Sequence, residues 1–457
     1  MCEFALKKSH EVAVENAEPS IIVGALSRLQ AQLVQGRWLS RKNFYSKNTV
    51  LVLDHVRKNG GSIHPHHLQD YIAASGPIHC LDGWAYLSQS ILSHIRGDVS
   101  GAVHLAYYAE LRAAASLLAA QAIGVMNNVH IAFDKSGSPT LINESRLGTH
   151  QFAWQALTLW SGQPNSALLL GRIIAPGDVT LTTWLDEFST AITTNAIARS
   201  WLTDWGIDLQ LLSKDQYSRN DASYRPTTLG EWNAPTPVEA SRVLREFWRL
   251  FEPNGRSGFS ELDRFLLRRA LEAAFLTITG RSHRRAPADF RRRIRLTVER
   301  LVPPGRPASE WVDFLTRANT PEDPLLLTDA GERAPPGSKR HHLQVMARAA
   351  LLLRLATGAV SDALSRSRCS MTDLQFWWDR VGSEAGLWDP SLWSPIETGT
   401  SMSDMWADVE IALEDLQAWE ADSGSSSASA RSWHMDNAAS LFTLSGCQRI
   451  GLWGLST

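Results

Sequence analysis

The chain has 457 residues, of which 44% are hydrophobic and 20% charged, and its formal net charge is -2. This length allows two or three domains, and the near-zero charge excludes a polycation that coats nucleic acid. Four cysteines lie far apart without a CxxC pair, which argues against a disulfide framework or a zinc ribbon. The N-terminus has no signal-peptide pattern, and no apolar run reaches the roughly 18 residues that span a bilayer. We therefore expect a soluble, cytoplasmic protein without a membrane segment.

Common signatures of nucleotide, hydrolase and protease chemistry do not occur. The motifs GxxxxGK[ST], GxGxxG after a strand, GxSxG and HExxH are all absent, so the classes they mark are poorly supported. Histidines cluster at residues 62–67, and imidazole is a common metal ligand. However, Pro65 interrupts any regular ligand geometry there, and the cluster matches no metal motif. We expect neither a metal nor another cofactor.

The central feature of the first half is the segment 101–124, which reads GAVHLAYYAELRAAASLLAAQAIG. Apolar residues such as Tyr107, Leu111 and Leu118 recur at three- and four-residue steps, so they share one face of a helix. We predict a buried central helix. A helix that begins after residue 79 and ends near residue 95 should pack against it as an antiparallel hairpin. Polar exceptions such as Glu110 are expected on a solvated or ion-paired face.

A change of pattern follows this helix. Residues 128–134 and 139–143 alternate like strands around Lys135-Ser-Gly-Ser138, which is typical of a β-hairpin. Further helical patterns in the first half occur at residues 21–33, 46–58, 148–161, 180–204 and 208–216. Three prolines between residues 226 and 237 then indicate a domain boundary.

The second half is also helical. Its periodic segments occur at residues 238–251, 260–279, 287–301 and 340–364. Residues 321–337 contain four prolines and are predicted as an exposed loop, while the run SGSSSASARS at 423–432 is typical of a flexible linker. The predicted fold class is mostly α. It comprises a helical bundle with one small β-hairpin in residues 1–230, a second α-helical domain in residues 231–422, and a flexible linker and tail in residues 423–457.

Short motifs in the central helix point to a family. Its Tyr107-Tyr108-Ala109, the alanines at 113–115, Leu117-Leu118 and the closing Ile123-Gly124 resemble the second core helix of the HEPN superfamily, and the YaaC-like branch is closest in style. HEPN proteins are all-α bundles found in toxins, RNA-processing proteins and bacterial defence proteins. The resemblance covers roughly residues 80 to 226, about a third of the chain.

The resemblance also implies a site. HEPN ribonucleases carry an Arg, a polar residue after it, and a His a few residues further on, and they cleave RNA without a metal. Arg219-Asn220 matches the start of this motif, but the shortest family spacing places Tyr224 where the His is expected. Tyrosine, with a reference pKa of about 10, is a poor general base at pH 7. The alternative interpretation of this segment is a polar turn with a salt-bridged Arg219.

Two further residues are candidate companions of Arg219. His150 could act as a general base, and it follows Arg146 at a helical spacing that lets both face one site. Glu110 on the central helix is the other candidate. For His150, the alternative is a packing role at the start of a helix.

A basic segment lies in the second half. Eight arginines occur between residues 281 and 300 against two acidic residues, and their guanidinium groups can hold phosphate oxygens in pairs. The alternative is a solvated helix face. The residues that we predict to contact nucleic acid are Arg281, Arg284, Arg285, Arg291, Arg292 and Arg295.

These features together favour an HEPN-like protein that binds or cleaves RNA, which the resemblance places in a bacterial defence or stress system. The alternatives are a non-catalytic HEPN-like scaffold and a partner-binding subunit without a nucleic-acid role. The expected partners are RNA, a protein encoded nearby and, because HEPN domains often pair their motifs, a second copy of the chain.

Overall fold

The computed structural model describes residues 6–60, 62–143, 147–189, 200–224, 235–255, 258–317, 323–332, 338, 340–389, 391, 395, 401–422 and 430–456. The fold is mostly α with one small antiparallel sheet, as the sequence predicts. In chain order, the α-helices are α1 Lys8–Glu15, α2 Ser20–Leu33, α3 Thr49–Asn59, α4 Pro65–Ile95, α5 Val99–Ala120, α6 Thr149–Ser161, α7 Pro164–Ile173, α8 Leu181–Phe188, α9 Leu209–Tyr224, α10 Pro237–Leu250, α11 Ser260–Thr279, α12 Pro287–Leu301, α13 Ala308–Thr316, α14 Leu325–Gly331, α15 His341–Arg366, α16 Gln375–Glu384, α17 Trp406–Asp422, α18 Ala430–Asp436, α19 Ala438–Ser445 and α20 Gln448–Leu455.

Helices α4 and α5 form the centre of the fold. They pack against each other along their length, and the predicted central helix is therefore confirmed as α5. Asp98 begins α5 by accepting a hydrogen bond from the Gly101 amide at 2.8 Å, which satisfies one of the free N–H groups of the first turn. Between the two helices, the Ser116 hydroxyl donates to the Gly76 carbonyl at 2.8 Å. The alanines of α5 are buried and allow this close approach.

The start of α4 differs from the sequence-based prediction. The helix begins at Pro65 and continues through Pro77 to Ile95, whereas the sequence indicates a helix only after residue 79. Proline lacks an N–H donor and usually breaks a helix interior. Here Gly76 and Pro77 are buried where α4 packs against α5 and α15, so tertiary packing overrides the local preference.

The small sheet contains the predicted hairpin and one additional strand. Its order is β1 (Ile123–Gly124), β2 (His130–Phe133) and β3 (Pro139–Ile142), all antiparallel. The turn between β2 and β3 is closed by Asp134, whose Oδ1 accepts hydrogen bonds from the amides of Ser136 at 2.8 Å and Ser138 at 3.0 Å. The β1 strand leads out of α5, so it anchors the hairpin to the C-terminal end of the central helix.

Helix α15 connects the two halves of the chain. It packs against α5 and α4, and the buried apolar residues before and after residue 230 form one continuous core cluster. The predicted domain boundary itself falls within residues 225–234, outside the described residues. Among the parts of the chain that the structure describes, α15 is the one helix long and apolar enough to cross a membrane, yet 94% of the relevant window is buried. The protein itself therefore covers its apolar surface.

Two segments predicted as irregular contain helices. Helix α14 lies within the expected loop at 321–337. The tail, predicted as flexible, contains α18, α19 and α20, and its Leu444, Ile450 and Trp453 are buried. Because α20 packs on α4 and α15, the end of the chain belongs to the core. The linker residues 423–429 lie outside the described residues.

Candidate functional site

Three helices meet around the arginine that the sequence analysis singled out. Helix α9 packs against both α5 and α6, which also contact each other. At this junction lies a group of five side chains, which we name the Arg219 cluster. Its members are His104, Tyr107 and Tyr108 from α5, His150 from α6 and Arg219 from α9.

Arg219 lies over two tyrosine rings. Its Cζ is 5.6 Å from the ring centroid of Tyr107 and 5.5 Å from that of Tyr108, a range in which the ring electrons attract a cation. Within the described residues the Arg219 side chain has no carboxylate partner, and its buried Nε–H lacks a hydrogen-bond acceptor. A half-buried guanidinium in this state retains its capacity for an anion.

His150 lies beside this cation. Its Nδ1 is hydrogen-bonded to the Tyr107 hydroxyl at 2.7 Å, and the two rings stack with centroids 5.5 Å apart. Burial, and then the positive charge of Arg219, lower the pKa of His150 below its ordinary value of 6.5. The imidazole is therefore neutral at pH 7, with Nε2 as the nitrogen that Tyr107 does not engage.

The charge of Arg219 also acts on His104. Its Nδ1 is 2.8 Å from the Ser223 hydroxyl, which donates to the Arg219 carbonyl at 2.8 Å. Burial and then the Arg219 charge lower the pKa of His104. Imidazoles from two helices thus contact the tyrosine rings that lie under one guanidinium, and the charge of that guanidinium lowers both of their pKa values.

The structure does not bring Tyr224 into this cluster. Arg219, Asn220 and Tyr224 all lie within α9, so the alternative interpretation of a polar turn is wrong. Tyr224 is 83% exposed. It follows Arg219 by five positions, and at about 100° per residue this spacing turns its side chain away from the Arg219 face. Asn220 is half-buried on α9.

Glu110 occupies the core beneath the Arg219 cluster. It is fully buried, so of the two alternatives expected for this residue, a solvated or an ion-paired position, the solvated one is wrong. Its Oε1 is 3.6 Å from the Nε of Arg348 on α15, and neither carboxyl oxygen accepts a hydrogen bond from the described part of the chain. Burial, together with the nearby charge of Asp215, raises the pKa of Glu110. It is therefore a core residue, and its carboxyl cannot reach a bound substrate.

Arg348 directs its hydrogen bonds to Asp215 instead. Its Nε and Nη2 donate to Asp215 Oδ2 at 3.0 and 2.6 Å, and both side chains are buried. Sequence reasoning missed this pair, which joins α9 to α15. An available signal was the pair of arginines inside the apolar run of α15, since a charge in such a run is rarely buried without a partner.

The basic segment forms the turn before α12 and the exposed face of that helix. All six predicted nucleic-acid residues are exposed. Arg291 pairs with Asp313 at 2.6 Å, and Arg292 approaches Asp289 at 3.5 Å. The other four have no carboxylate partner in the described ranges; they are Arg281, Arg284, Arg285 and Arg295.

The remaining sequence candidates lie elsewhere or outside the described residues. Arg146, the suggested companion of His150, is among the residues that the structure does not describe. In the histidine-rich segment, His64 precedes the first residue of α4, and its ring stacks on Phe44 with centroids 4.0 Å apart. No group of three or more metal-ligating side chains occurs in the described part of the chain.

Comparison with known proteins adds no relative. No family model matches the chain, and no curated protein or solved structure matches it. The functional interpretation therefore depends on the residues of the Arg219 cluster and on the basic segment.

Proposed function

We propose that the protein binds RNA through the Arg219 cluster, as an HEPN-like protein. One observation carries the proposal. Arg219 is a half-buried cation without a carboxylate partner in the described residues, held over Tyr107 and Tyr108 and flanked by neutral imidazoles. A structural arginine at such a depth usually pairs with a carboxylate, whereas a phosphate-binding one keeps its donors available.

The same residues support a cleavage reaction. In metal-independent RNA cleavage, the 2′-hydroxyl loses its proton and attacks the adjacent phosphorus, the bond from phosphorus to the 5′-oxygen breaks, and the leaving 5′-oxygen takes a proton from solvent water. Arg219 would stabilise the negative charge that develops on phosphate. His150, neutral at pH 7 and with Nε2 not engaged by Tyr107, would accept the 2′-hydroxyl proton. His150 thus takes the role that the sequence comparison assigned to the position of Tyr224.

The basic segment would increase the affinity for RNA without contacting the reacting atoms. Arg281, Arg284, Arg285 and Arg295 are exposed and lack carboxylate partners in the described residues. Because the chain as a whole has a net charge of -2, a local positive surface can attract a polyanion that the rest of the surface repels. We also propose a cytoplasmic location, a homodimer and a role in bacterial defence, all on the strength of the HEPN resemblance.

The experiment combines binding and cleavage on one labelled RNA oligonucleotide, in EDTA to exclude metal-dependent contaminants. Wild type is compared with Arg219→Gln, His150→Gln and Tyr224→Phe, the last being a control on the same helix but outside the cluster. We expect Arg219→Gln to weaken binding about tenfold or more, since it removes a charge-assisted contact of about 1.5–3 kcal/mol. His150→Gln should abolish cleavage and retain binding, and Tyr224→Phe should retain both.

A double substitution of Arg284 and Arg285 to Ala tests the basic segment. We expect weaker binding and a shallower dependence of affinity on salt, because fewer counterions are released. Binding by wild type that persists unchanged in Arg219→Gln would refute the proposed site. Binding without cleavage would favour the non-catalytic scaffold, for which the exposed position of Tyr224 is the supporting observation. Absence of RNA binding would favour the partner-binding subunit.

A further inference from the structure

Helix α9 is docked on the core mainly through polar side chains. Its buried residues are Leu212, Asp215 and Ser218, so only one of the three is apolar. A surface helix usually orients itself by a continuous apolar stripe, and α9 lacks one. Its orientation therefore depends on the hydrogen bonds and ion pairs that its buried polar groups make.

Asp215 is the polar group that connects α9 to the rest of the core. It accepts two hydrogen bonds from Arg348, at 3.0 and 2.6 Å, and both residues are nearly inaccessible to solvent. Arg348 belongs to α15, which packs along α5, the helix that carries Tyr107 and Tyr108. The ion pair therefore fixes α9 relative to the tyrosines.

Arg219 lies one turn beyond Asp215 on α9. Residues four apart project from the same side of a helix, so the ion pair and the Arg219 guanidinium face the same neighbours. Glu110 occupies the equivalent position on α5, one turn beyond Tyr107, and its carboxyl receives no hydrogen bond from the described residues. Its Oε1 lies 3.6 Å from Arg348 Nε, beyond hydrogen-bond distance, whereas Asp215 accepts both short hydrogen bonds and so holds that guanidinium.

We propose that Arg348 and Asp215 are positioning residues of the Arg219 cluster: their buried ion pair holds helix α9 so that Arg219 lies over Tyr107 and Tyr108. The functional meaning of this inference rests on the proposed RNA-binding function, but the geometry can be tested without RNA. The second half of the chain thereby completes the site built by the first half.

A second ion pair on α15 provides a matched control. Arg354 donates to Asp263 at 2.9 and 2.7 Å, and both residues are buried. This pair joins α15 to α11 and has no member in the Arg219 cluster. Replacing Asp263 therefore disrupts a buried Arg–Asp pair on the same helix without releasing α9.

The experiment is an NMR titration of the His104 and His150 side chains in the full-length protein. The variants are Asp215→Asn, Asp263→Asn and Arg219→Gln, and circular dichroism confirms that each is folded. Arg219→Gln removes the charge that lowers both histidine pKa values, so it sets the maximum rise. We expect Asp215→Asn to raise both pKa values by at least half of that maximum, and Asp263→Asn to leave both unchanged despite its loss of stability.

Unchanged histidine pKa values in folded Asp215→Asn would overturn the proposal, as would an equal rise in Asp263→Asn. If Asp215→Asn does not fold, Arg348→Lys gives the same test, because it keeps the charge but loses the two-donor contact. A smaller rise in both pKa values is then expected, and no rise refutes the idea. If both histidine pKa values rise in Asp215→Asn but the wild type does not bind RNA, the positioning role stands and the proposed function is rejected.

Discussion

Helix α15 carries two buried arginines that make the same ion pair in different surroundings. In the pair of Arg354 and Asp263, both carboxylate oxygens accept hydrogen bonds, whereas Nη1 of the arginine has no acceptor in the described residues. Asp263 accepts two bonds from Arg354 and one from the Ala175 amide at 2.9 Å, and Arg354 also donates to the Ile173 carbonyl at 2.7 Å. Beyond the pair itself, these hydrogen bonds join backbone groups, which is typical of a structural contact.

The pair of Arg348 and Asp215 has an additional ionisable group on each side. Glu110 lies 3.6 Å from Arg348, and His341 Nε2 lies 3.9 Å from Asp215 Oδ1. Neither group makes a side-chain hydrogen bond within the described residues. Incompletely satisfied buried groups cost stability and concentrate where function requires them. The comparison therefore identifies two ionisable neighbours, Glu110 and His341, beside the pair that lies beneath the Arg219 cluster.

The largest loss of stability is expected when the ion pair of Arg354 and Asp263 is broken. Asp263→Asn leaves Arg354 buried without its counter-charge, and breaking a buried pair in this way costs about 3–5 kcal/mol of the free energy of unfolding. Urea unfolding followed by circular dichroism measures the loss. A loss below about 1 kcal/mol would show that this region tolerates an unpaired guanidinium. The two buried ion pairs would then not differ in stability as expected.

Asp215→Asn should cost less than Asp263→Asn. When Asp215 loses its charge, Glu110 can ionise and pair with Arg348, which it already approaches. The expected loss is about 1.5–3 kcal/mol, the value of hydrogen bonds to a charged group. The double variant with Glu110→Gln removes this compensation and should lose more than the sum of its parts. Strict additivity would contradict the exchange of partners.

The pH dependence of stability provides a smaller effect. Glu110 has a folded-state pKa above its ordinary value of 4.5, so above pH 4.5 the folded state retains a proton that the unfolded state releases. Stability therefore falls as pH rises from 4.5 towards the folded-state pKa. Glu110→Gln should remove this decline.

Other groups titrate in the same window, so the measured quantity is the difference between wild type and Glu110→Gln. The buried pair His94 and His342 has pKa values lowered to about 4 and about 3 by burial. These histidines make stability rise with pH up to about 6.5. Their contribution is the same in both proteins, so it cancels in the difference between wild type and Glu110→Gln. A difference that does not change with pH would show that Glu110 is ionised in the folded protein.

The smallest effect is expected at an exposed pair that serves as the baseline. Arg291 and Asp313 are 2.6 Å apart, with side chains 47% and 66% exposed. Arg291→Ala should change the free energy of unfolding by no more than about 1 kcal/mol, measured in the same urea series. A larger loss of stability would mean that a short distance between the charged atoms is sufficient, and that burial does not distinguish the two buried pairs from this exposed one.

Much of the fold could be predicted from the sequence. The ranges of α11 and α12 match their periodic segments, and the β2–β3 hairpin follows from strand alternation around a glycine-containing turn. The missed features share one cause. The passage of α4 through Pro77 and the helices of the tail depend on contacts with distant helices, which local propensity does not contain.

The residues of the site also divide into those that the sequence could predict and those that depend on distant contacts. The sequence singled out Arg219 and His150, and the structure brings both to Tyr107. The sequence could not exclude Tyr224 from the site. Only the continuous helix α9 shows that the Tyr224 side chain points away from the Arg219 face. Arg348 and Asp215 lie 133 residues apart, and no local pattern links two positions at that separation.

The most direct measurement is an NMR titration of His104 and His150 with and without a saturating RNA oligonucleotide. Phosphate bound to Arg219 would offset the charge that lowers both pKa values, so we expect both to rise. The same titration in Arg219→Gln should show no response to RNA. If RNA leaves both pKa values of the wild type unchanged, the Arg219 cluster is not a phosphate site.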